Sequence, residues 1–260
     1  MCKVIAIANQ KGGVGKTMTA GSIGFGLARE GKKVLMIDAD AQGSLTASLG
    51  FDEPDQIEMT LATILGHIIK EEVFEPFEGI LHHEEGVDLL PANIELSGIE
   101  VSLVNIMSRE FIMREYVQYI SDFYDYVIID CMPSLGMLTI NALVCADRVL
   151  IPVQAAYLLV KGLEQLIRTI GKVKRSLNKE LEIAGILITM VDSRTNFCRD
   201  VSRLLVENYG QIIHVFDTVI PMSVRAAETS AEGISIYSHD PNGKVAAAYS
   251  LVTREVLMNG

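Results

Sequence analysis

The sequence of 260 residues predicts a doubly wound α/β fold, in which helices cover both faces of a mostly parallel sheet. Short runs of β-branched and other apolar residues alternate with longer helical stretches along the chain. Several of these runs carry apolar residues on both faces, as strands do when helices cover both sides of a sheet. Glycine-rich and acidic segments follow particular strands, at the sheet edge where α/β proteins bind ligands.

The apolar runs predict strands at 3–8, 33–37, 87–90, 126–129, 148–152, 183–190 and 214–220. Helices are expected at 17–30, 96–120, 135–145, 158–177, 197–209 and 243–258. Because strands and helices alternate, we expect right-handed crossovers. The acidic stretch 71–85 is expected to be a variable surface loop. No internal repeat or long linker is evident, so the chain is expected to be a single domain spanning 1–260.

The composition limits the classes of function. A formal net charge of −11 argues against a protein that binds nucleic acid through bulk charge, so any DNA contact needs a local basic patch. The cysteines form no C-x-x-C pair and the five histidines show no metal-ligand spacing, which favours reduced thiols in a cytoplasmic protein. We expect no signal peptide, because the first predicted strand begins almost at once, and no apolar run approaches the ~20 residues that span a bilayer.

Residues 10–17 read Gln-Lys-Gly-Gly-Val-Gly-Lys-Thr, between the first predicted strand and the first predicted helix. A glycine loop between a strand and a helix is the context of a phosphate-binding P-loop. Its backbone amides can point at phosphate oxygens, and the helix N-terminus adds a positive dipole end. Lys16 would reach the β- and γ-phosphates, and Thr17 would offer its hydroxyl to Mg²⁺. The predicted loop contacts are Lys11, Gly12, Gly13, Val14, Gly15, Lys16, Thr17 and Met18.

One feature departs from the usual pattern G-x-x-x-x-G-K-S/T. Gln10 stands where the first glycine is expected, and a second lysine, Lys11, precedes the glycine pair. A lysine is not needed there to form the phosphate cradle; the alternative is a solvated surface lysine. The pattern K-G-G-V-G-K-T resembles the ParA/MinD family of P-loop ATPases, and within it the ParA/Soj partitioning type. This resemblance implies ATP and Mg²⁺ as cofactors, and a Lys11 that reaches across a dimer interface to the partner's nucleotide.

Acidic residues follow two other predicted strands. Asp38 and Asp40 come at the end of one apolar run, and Asp130 ends another that is similar to a Walker B strand. Neighbouring carboxylates repel each other unless a cation, a lysine or a water network balances them. The resemblance implies that Asp40 positions the attacking water and that Asp130 holds Mg²⁺. A turn or helix-cap role is the alternative for Asp38 or Asp40. The predicted catalytic residues are Lys11, Lys16 and Asp40, and the predicted metal-site residues are Thr17, Asp40 and Asp130.

Segments late in the chain extend the resemblance over nearly its whole length. In related nucleotide-binding proteins, loops after two late strands flank the adenine ring, so Met190, Asp192 and Pro221 are candidate base contacts. Arg194 and Arg225 match arginines that bind DNA non-specifically in the partitioning branch. Arginine suits phosphate because its planar guanidinium donates two parallel hydrogen bonds. The alternative is that either arginine forms a surface ion pair.

The resemblance implies an ATP-dependent dimerisation switch that hydrolyses ATP weakly and binds DNA non-specifically. Its expected task is to segregate or position plasmid or chromosomal DNA, in the cytoplasm and on the nucleoid. The expected partners are a second copy of the chain when ATP is bound, non-specific DNA and a ParB-like stimulating protein, with no membrane. Ala41, Met132 and Met222 depart from the family pattern, the first two in the loops after Asp40 and Asp130.

Three alternatives remain at this point. A membrane-cycling regulator of the MinD type needs an amphipathic C-terminal tail, and no such tail follows the last predicted helix. A positioning ATPase with a non-DNA cargo would have an almost identical sequence. A metabolic ATP-dependent enzyme on the same scaffold, such as an amidoligase or a nitrogenase-type electron donor, is the third. The cysteines occupy no recognisable cluster positions, which argues against the electron donor. An enzyme similar to dethiobiotin synthetase would need a dedicated substrate pocket, and the sequence does not exclude one.

Overall fold

The computed structural model describes residues 2–154, 160–192 and 196–258. The strands are β1 Lys3–Ile7, β2 Val34–Ala39, β3 Leu81–His82, β4 Asp88–Leu90, β5 Tyr126–Cys131, β6 Arg148–Gln154 and β7 Glu182–Thr189. The helices are α1 Lys16–Arg29, α2 Ser44–Ser48, α3 Leu61–Ile69, α4 Leu96–Ser102, α5 Ile112–Ile120, α6 Met137–Cys145, α7 Val160–Ser176, α8 Asn196–Tyr209, α9 Val224–Glu232, α10 Ile236–His239 and α11 Lys244–Met258.

The strands form one sheet in the order β3-β4-β2-β5-β1-β6-β7. All neighbouring pairs are parallel except β3 and β4, which are antiparallel. Strands β2 to β5 lie on one side of β1, and β6 and β7 lie on its other side. The order of the strands therefore reverses at β1. Such a reversal opens a crevice at the carboxyl ends of the strands, where ligands bind in this class of fold. The predicted fold class is therefore confirmed.

Two apolar cores lie on opposite faces of the sheet. In β1, Val4 and Ala6 belong to the core that α3, α5, α6 and α7 cover, whereas Ile5 and Ile7 belong to the core under α1, α10 and α11. Because both faces of the central strands are buried, their sequences are mostly apolar, and the buried acids Asp38 and Asp130 stand near their carboxyl ends. On the second face the hydroxyls of Thr19 in α1 and Tyr249 in α11 lie 3.0 Å apart, which joins the two helices by a buried hydrogen bond.

Two elements differ from the sequence-based expectation. The segment 214–220 forms no continuous strand; isolated parallel bridges join Val215 to Ile186 and Pro221 to Val191. The predicted helix 96–120 is two helices, α4 and α5. Between them Ser108 has φ 54°, a left-handed conformation that cannot continue a right-handed helix.

The stretch 71–85, expected to be a loop, contains β3 and a fixed contact with the far end of the chain. The Glu85 carboxylate accepts hydrogen bonds from the Ser235 N–H at 2.8 Å and from the hydroxyls of Ser235 and Ser238. His83 Nε2 lies 2.9 Å from the carbonyl oxygen of Gly233. The hairpin between β3 and β4 is therefore attached to the loop between α9 and α10.

The helices α2, α3, α9 and α10 were not predicted. For α3 a signal was present, because Leu61, Ile64, Leu65 and Ile68 follow helical spacing and are all buried. No helix within the described residues has both the length and the apolar character needed to cross a membrane.

Candidate nucleotide site

The loop between β1 and α1 forms the centre of the site. Gly13 and Gly15 have φ values of 70° and 81°, which side chains with a Cβ rarely adopt. Gly15 is the N-cap residue of α1, and no side chain caps the first turn of that helix. Uncapped amide groups and the positive end of the helix dipole favour an anion at this position. The local backbone therefore suits phosphate oxygens.

Strands β6 and β7, which lie on the same side of β1 in the sheet, hold the loop in place. Asn9 Oδ1 accepts a hydrogen bond from the Lys11 N–H at 3.0 Å, and the Asn9 amide donates to the carbonyl of Pro152 in β6 at 2.7 Å. The Thr189 hydroxyl, at the end of β7, donates to the carbonyl of Val14 at 2.8 Å. Asn9 and Thr189 are buried, so water does not compete for these bonds. The loop is thereby preorganised.

Lys16 and Lys11 lie in different environments although they belong to the same loop. The Lys16 side chain is only 8% exposed, and its Nζ donates to the Lys11 carbonyl at 3.2 Å. Burial lowers the pKa of Lys16, and the charges of Asp130 and Asp40 oppose that shift. The Lys11 side chain is exposed, and no ion pair joins it to any described residue. One cation is therefore enclosed by the loop and the other is exposed to solvent.

Asp38 has its hydrogen-bonding capacity satisfied within the chain. The carboxylate is fully buried and accepts bonds from the Asp40 N–H at 3.1 Å, the Thr46 N–H at 2.8 Å and the Thr46 hydroxyl at 2.8 Å. Burial raises the pKa of Asp38 to about 6, and these three hydrogen bonds oppose the rise. Asp38 therefore anchors the turn after β2 and the start of α2. This is the turn role that the sequence left open for one acid of the pair.

Asp130 has the opposite character, although it pairs in register with Asp38 across β2 and β5. It is buried, yet its Oδ1 has no hydrogen-bond partner. Burial raises the pKa of Asp130 to about 8; the charge of Asp38 raises it further, whereas a hydrogen bond from the Thr17 hydroxyl and the charge of Lys16 oppose the rise. A buried carboxylate with an unmet acceptor is unfavourable. A carboxylate oxygen beside a hydroxyl is a donor set that fits Mg²⁺.

Asp40 lies directly after β2, at the same edge of the sheet. It is half-buried, and its Oδ1 accepts a hydrogen bond from the Gln42 N–H at 3.1 Å. Its charge is close enough to act on both Lys16 and Asp130. The structure thus brings Asp40, Lys16, Thr17 and Asp130 together.

The candidate base contacts lie beside the glycine loop. Met190, directly after β7, packs against Gly15 and has φ 53°, an unfavourable value for a residue with a side chain. Val191 pairs with Pro221, since the Val191 N–H donates to the Ile220 carbonyl at 3.0 Å. Met190, Asp192 and Pro221 are consequently neighbours at this edge. Such unfavourable backbone conformations concentrate at functional sites.

The candidate DNA contacts are less defined. Arg225, in the first turn of α9, is 63% exposed, and its Nη1 lies 2.9 Å from Oδ1 of Asp240. This contact is the surface ion pair that the sequence left as the alternative reading. Arg194 lies outside the described residues.

Sequence reasoning missed the residues that brace the loop. Asn9 and Thr189 were not singled out, although each is a polar residue at the end of an apolar run. That position was the available signal, because strand ends at the carboxyl edge line the ligand crevice. Thr46 carried no comparable signal, since its role depends on where α2 packs.

Comparisons with known proteins agree with this geometry. The profile of the AAA domain family matches residues 2–183. The sporulation initiation inhibitor protein Soj from Bacillus subtilis is 42% identical over 260 residues, which is 100% of both chains. The chain belongs to the ParA/Soj family of P-loop ATPases. The resemblance inferred from the glycine loop is therefore confirmed.

Other members and neighbours extend the match. The chromosome partitioning protein ParA from Caulobacter vibrioides is 38% identical over 257 residues, covering 98% of this chain and 94% of ParA. Among solved structures, cobyrinic acid a,c-diamide synthase from Mycobacterium smegmatis with bound ADP and magnesium has a TM-score of 0.87 and 37% identity. That match covers 100% of this chain and 95% of the other. The ParA/Soj fold thus extends through the C-terminal part that the AAA profile leaves unmatched.

Proposed function

We propose that this ParA/Soj-type protein is an ATP-dependent dimerisation switch that binds DNA non-specifically and positions plasmid or chromosomal DNA on the nucleoid, in the cytoplasm. The observation that carries the proposal is the contrast within one loop: Lys16 is enclosed, whereas Lys11 is exposed and forms no ion pair with any described residue. An exposed lysine beside its own phosphate loop can serve a nucleotide held by a second copy. We further propose that residues 1–260 act as one ATPase domain.

ATP is the proposed nucleotide, supported by the ADP and magnesium bound in the Mycobacterium smegmatis relative. Its phosphates would lie against the backbone amides of the loop and the Lys16 ammonium group. Thr17 and Asp130 would hold Mg²⁺, with Asp40 near its water shell. Mg²⁺ would neutralise charge on the phosphate oxygens. The proposed contacts are Lys11, Gly12, Gly13, Val14, Gly15, Lys16, Thr17 and Met18 for the phosphates, and Met190, Asp192 and Pro221 for the base.

Hydrolysis then depends on two groups outside the phosphate cradle. Asp40 orients a water molecule, whose oxygen attacks the γ-phosphorus while the bond to the β–γ bridging oxygen breaks, giving ADP and phosphate. Lys16 and the second copy's Lys11 offset charge on the transferred group. Since one lysine arrives only with the second copy, turnover by a lone chain is weak, and a ParB-like protein that stabilises the closed dimer would stimulate it.

DNA binding requires a local patch because the chain carries a net charge of −11. Arg225 and Arg194 would supply it, and a dimer would present two such sets on one surface. Arg225 must exchange Asp240 for a DNA phosphate, a small cost because an exposed ion pair contributes little. Binding of this kind weakens steeply with salt. We propose no membrane partner.

The dimer is tested with Lys11→Ala and with Lys32→Ala as a matched control, since Lys32 is also exposed but lies in the turn between α1 and β2. We expect light scattering with Mg·ATP to show dimers for the wild type and Lys32→Ala but monomers for Lys11→Ala. Lys11→Ala should keep nucleotide affinity within about tenfold, since Lys16 remains. A normal ATP-induced dimer of Lys11→Ala would refute the role across the interface. Asp40→Ala should retain the ATP dimer but lose turnover.

DNA binding is tested separately. Arg194→Glu with Arg225→Glu should abolish retention of double-stranded DNA in a filter-binding assay. The charge-matched control is Lys32→Glu with Lys33→Glu, at the edge of the sheet opposite the glycine loop. Nucleotide affinity should be unchanged in both pairs. Equal loss of DNA binding in the control would mean that bulk charge, and not this patch, is responsible.

The similarity to cobyrinic acid a,c-diamide synthase favours one second candidate, an ATP-dependent amide synthesis. Such an enzyme activates a carboxylate and needs ammonia. Burial raises the pKa of the thiols of Cys131 and Cys145, so neither suits release of ammonia from glutamine. ATP turnover that depends on cobyrinic acid and ammonia, and not on DNA, would favour this candidate.

A further inference from the structure

An open groove of about 660 Å³ lies on the flank of the molecule, away from the nucleotide site. The end of α3 and the segment after it form one wall, and α5 with the segment before it forms the other. We call it the flank groove; it is defined by Ile68, Glu72, Val73, Phe74, Met107 and Tyr119. A second hollow adjoins it and shares Glu115 and Tyr119. None of these residues has a part in nucleotide binding.

The rim of the flank groove exposes apolar side chains. Val73 is 95% exposed and Met107 is 91% exposed, and half of Tyr119 is also in contact with solvent. Ile68 and Ile112 lie buried on its floor. Single exposed apolar residues are ordinary, but a group of them around a concavity with a polar rim marks an interaction surface.

The backbone at the flank groove is held in an unfavourable conformation at two positions. Glu71 and Ser108, which both line it, have φ values of 57° and 54°. Among the described residues, Met190 at the nucleotide site is the one other non-glycine residue with a positive φ. Such conformations persist where the surrounding structure enforces them, typically at functional sites. Unfavourable backbone conformations therefore occur at the flank groove as well as at the nucleotide site.

The charge around the flank groove is mainly acidic. Residues 71–78 contain four glutamates and no lysine or arginine, and Glu115 of α5 faces them. Glu72 Oε2 lies 2.9 Å from His67 Nδ1, and Arg114 is a cation that lines the adjoining hollow. An acidic rim around an apolar floor complements a partner that carries lysine or arginine beside an apolar stripe. The same charge opposes an anionic membrane surface.

The flank groove lies at the edge of the sheet opposite the P-loop. The helix α3 begins where the Leu61 N–H donates to the Pro91 carbonyl, just beyond the carboxyl end of β4. Its nine residues extend about 13 Å at 1.5 Å per residue, so its far end reaches the opposite edge. A partner could therefore occupy the groove whether or not two chains close around nucleotide.

We propose that the flank groove binds a cationic amphipathic helix of a partner protein. Apolar residues spaced three and four apart on that helix would cover Val73, Met107 and Tyr119, and its lysines or arginines would face Glu71, Glu72 and Glu115. A helix fits because α3 and α5 form the walls and no unpaired strand edge lines the groove. The proposal does not depend on DNA binding or on ATP-driven dimerisation.

The test uses two labelled synthetic helices of about 18 residues, both with a leucine stripe, one carrying lysine and the other glutamate at the flanking positions. Fluorescence anisotropy is measured on the nucleotide-free chain at about 0.15 M salt. We expect micromolar binding of the lysine helix and binding at least tenfold weaker for the glutamate helix. Equal affinity for both helices would overturn the charge assignment.

Two pairs of variants place the binding site. Val73→Ser with Met107→Ser should weaken binding of the lysine helix at least tenfold, and both side chains are exposed, so folding should be unaffected. The matched control is Ile212→Ser with Met258→Ser, which also lie more than four-fifths exposed. Glu72→Gln with Glu115→Gln should weaken binding severalfold, compared with Glu53→Gln with Glu180→Gln, which removes the same charge from other exposed sites.

Equal loss in a control pair, or unchanged binding in Val73→Ser with Met107→Ser, would overturn the proposal. If sedimentation shows that the wild type alone is a dimer, and Val73→Ser with Met107→Ser abolishes that dimer, the groove binds a second copy instead. If the wild type binds anionic vesicles, and Val73→Ser with Met107→Ser abolishes that binding, the groove binds a membrane surface instead. Mg·ATP affinity of all these variants should match the wild type, which separates this result from the outcome of the nucleotide experiments.

Discussion

Asp130 and Glu85 show how two regions of the molecule treat a carboxylate. At the hairpin, Glu85 accepts hydrogen bonds from Ser235 and Ser238, which the chain itself supplies. At the nucleotide edge, Asp130 is buried with an oxygen that no hydrogen bond reaches. The hairpin is therefore complete without a ligand, whereas the nucleotide edge is not.

The pKa values follow the same division. Partial burial tends to raise the pKa of Glu85, but the hydrogen bonds from Ser235 and Ser238 outweigh it and hold the pKa below its usual value. Burial raises the pKa of Asp130 to about 8. A charge that the fold compensates has a structural role, and one left uncompensated marks a place where a ligand's charge is expected.

The largest expected difference between the two carboxylates is in turnover. Asp130→Asn should lower ATP hydrolysis by about 10²–10³-fold, because it removes charge from the proposed Mg²⁺ site. Glu85→Gln keeps the shape of the hairpin contact and should change turnover by less than about threefold. Phosphate release at saturating Mg·ATP measures both. Comparable losses of ATP turnover in the two variants would contradict the assignment of a ligand-binding role to Asp130 and a structural role to Glu85.

The next effect is the pH dependence of stability without nucleotide or metal. Between about pH 4 and 8 the native state retains the Asp130 proton that the unfolded state has lost, so this group makes the free energy of unfolding fall as pH rises. The slope is at most about 1.4 kcal/mol per pH unit. Glu85 acts in the opposite sense, because its pKa is lowered in the native state. Its stabilising contribution to the free energy of unfolding is present above the usual pKa of a glutamate and is lost as pH falls through the lowered value.

Urea unfolding in EDTA at several pH values measures this effect. Asp130→Asn should flatten the decline between pH 5 and 8. An unchanged slope in that variant would mean that other groups cause it.

A smaller effect is expected for the hairpin contact. Glu85→Gln should lower the free energy of unfolding at pH 7 by about 1–2 kcal/mol, because hydrogen bonds to a charged acceptor become bonds to a neutral one. Glu84→Gln serves as the control, since Glu84 is exposed next to it. A loss as large in the control would attribute the effect to general charge.

The smallest effect concerns the exposed pair of Arg225 and Asp240. Asp240→Asn should change the free energy of unfolding by less than about 1 kcal/mol. It should strengthen DNA binding by about two- to threefold, because Arg225 no longer leaves a partner to reach a phosphate. Filter binding at low salt measures the change. Weaker DNA binding in Asp240→Asn would show that the pair positions Arg225.

The sequence predicted the parts of the molecule that depend on local pattern. The loop around Lys16 was found because a strand, a glycine run and a helix follow one another, and Asp130 was found because an acid ends an apolar run. It could not divide the roles of Asp38 and Asp40, because that depends on Thr46, whose place is set by the packing of α2. The flank groove was also missed, since it arises where α3 and α5 come together and exposed Val73 and Met107 carry no periodic signal.

The hydrogen bond from Thr189 to Val14 has a consequence for how the chain is made. The first loop of the protein, around Val14, is braced by a residue 175 positions later, and α1 behind it is covered by α11 through Thr19 and Tyr249. The apolar face of α1 therefore stays exposed in a newly made chain until α11 has been synthesised and has packed against it. We expect tight nucleotide binding only after this packing, which makes the contact between α1 and α11 the step that completes the nucleotide site.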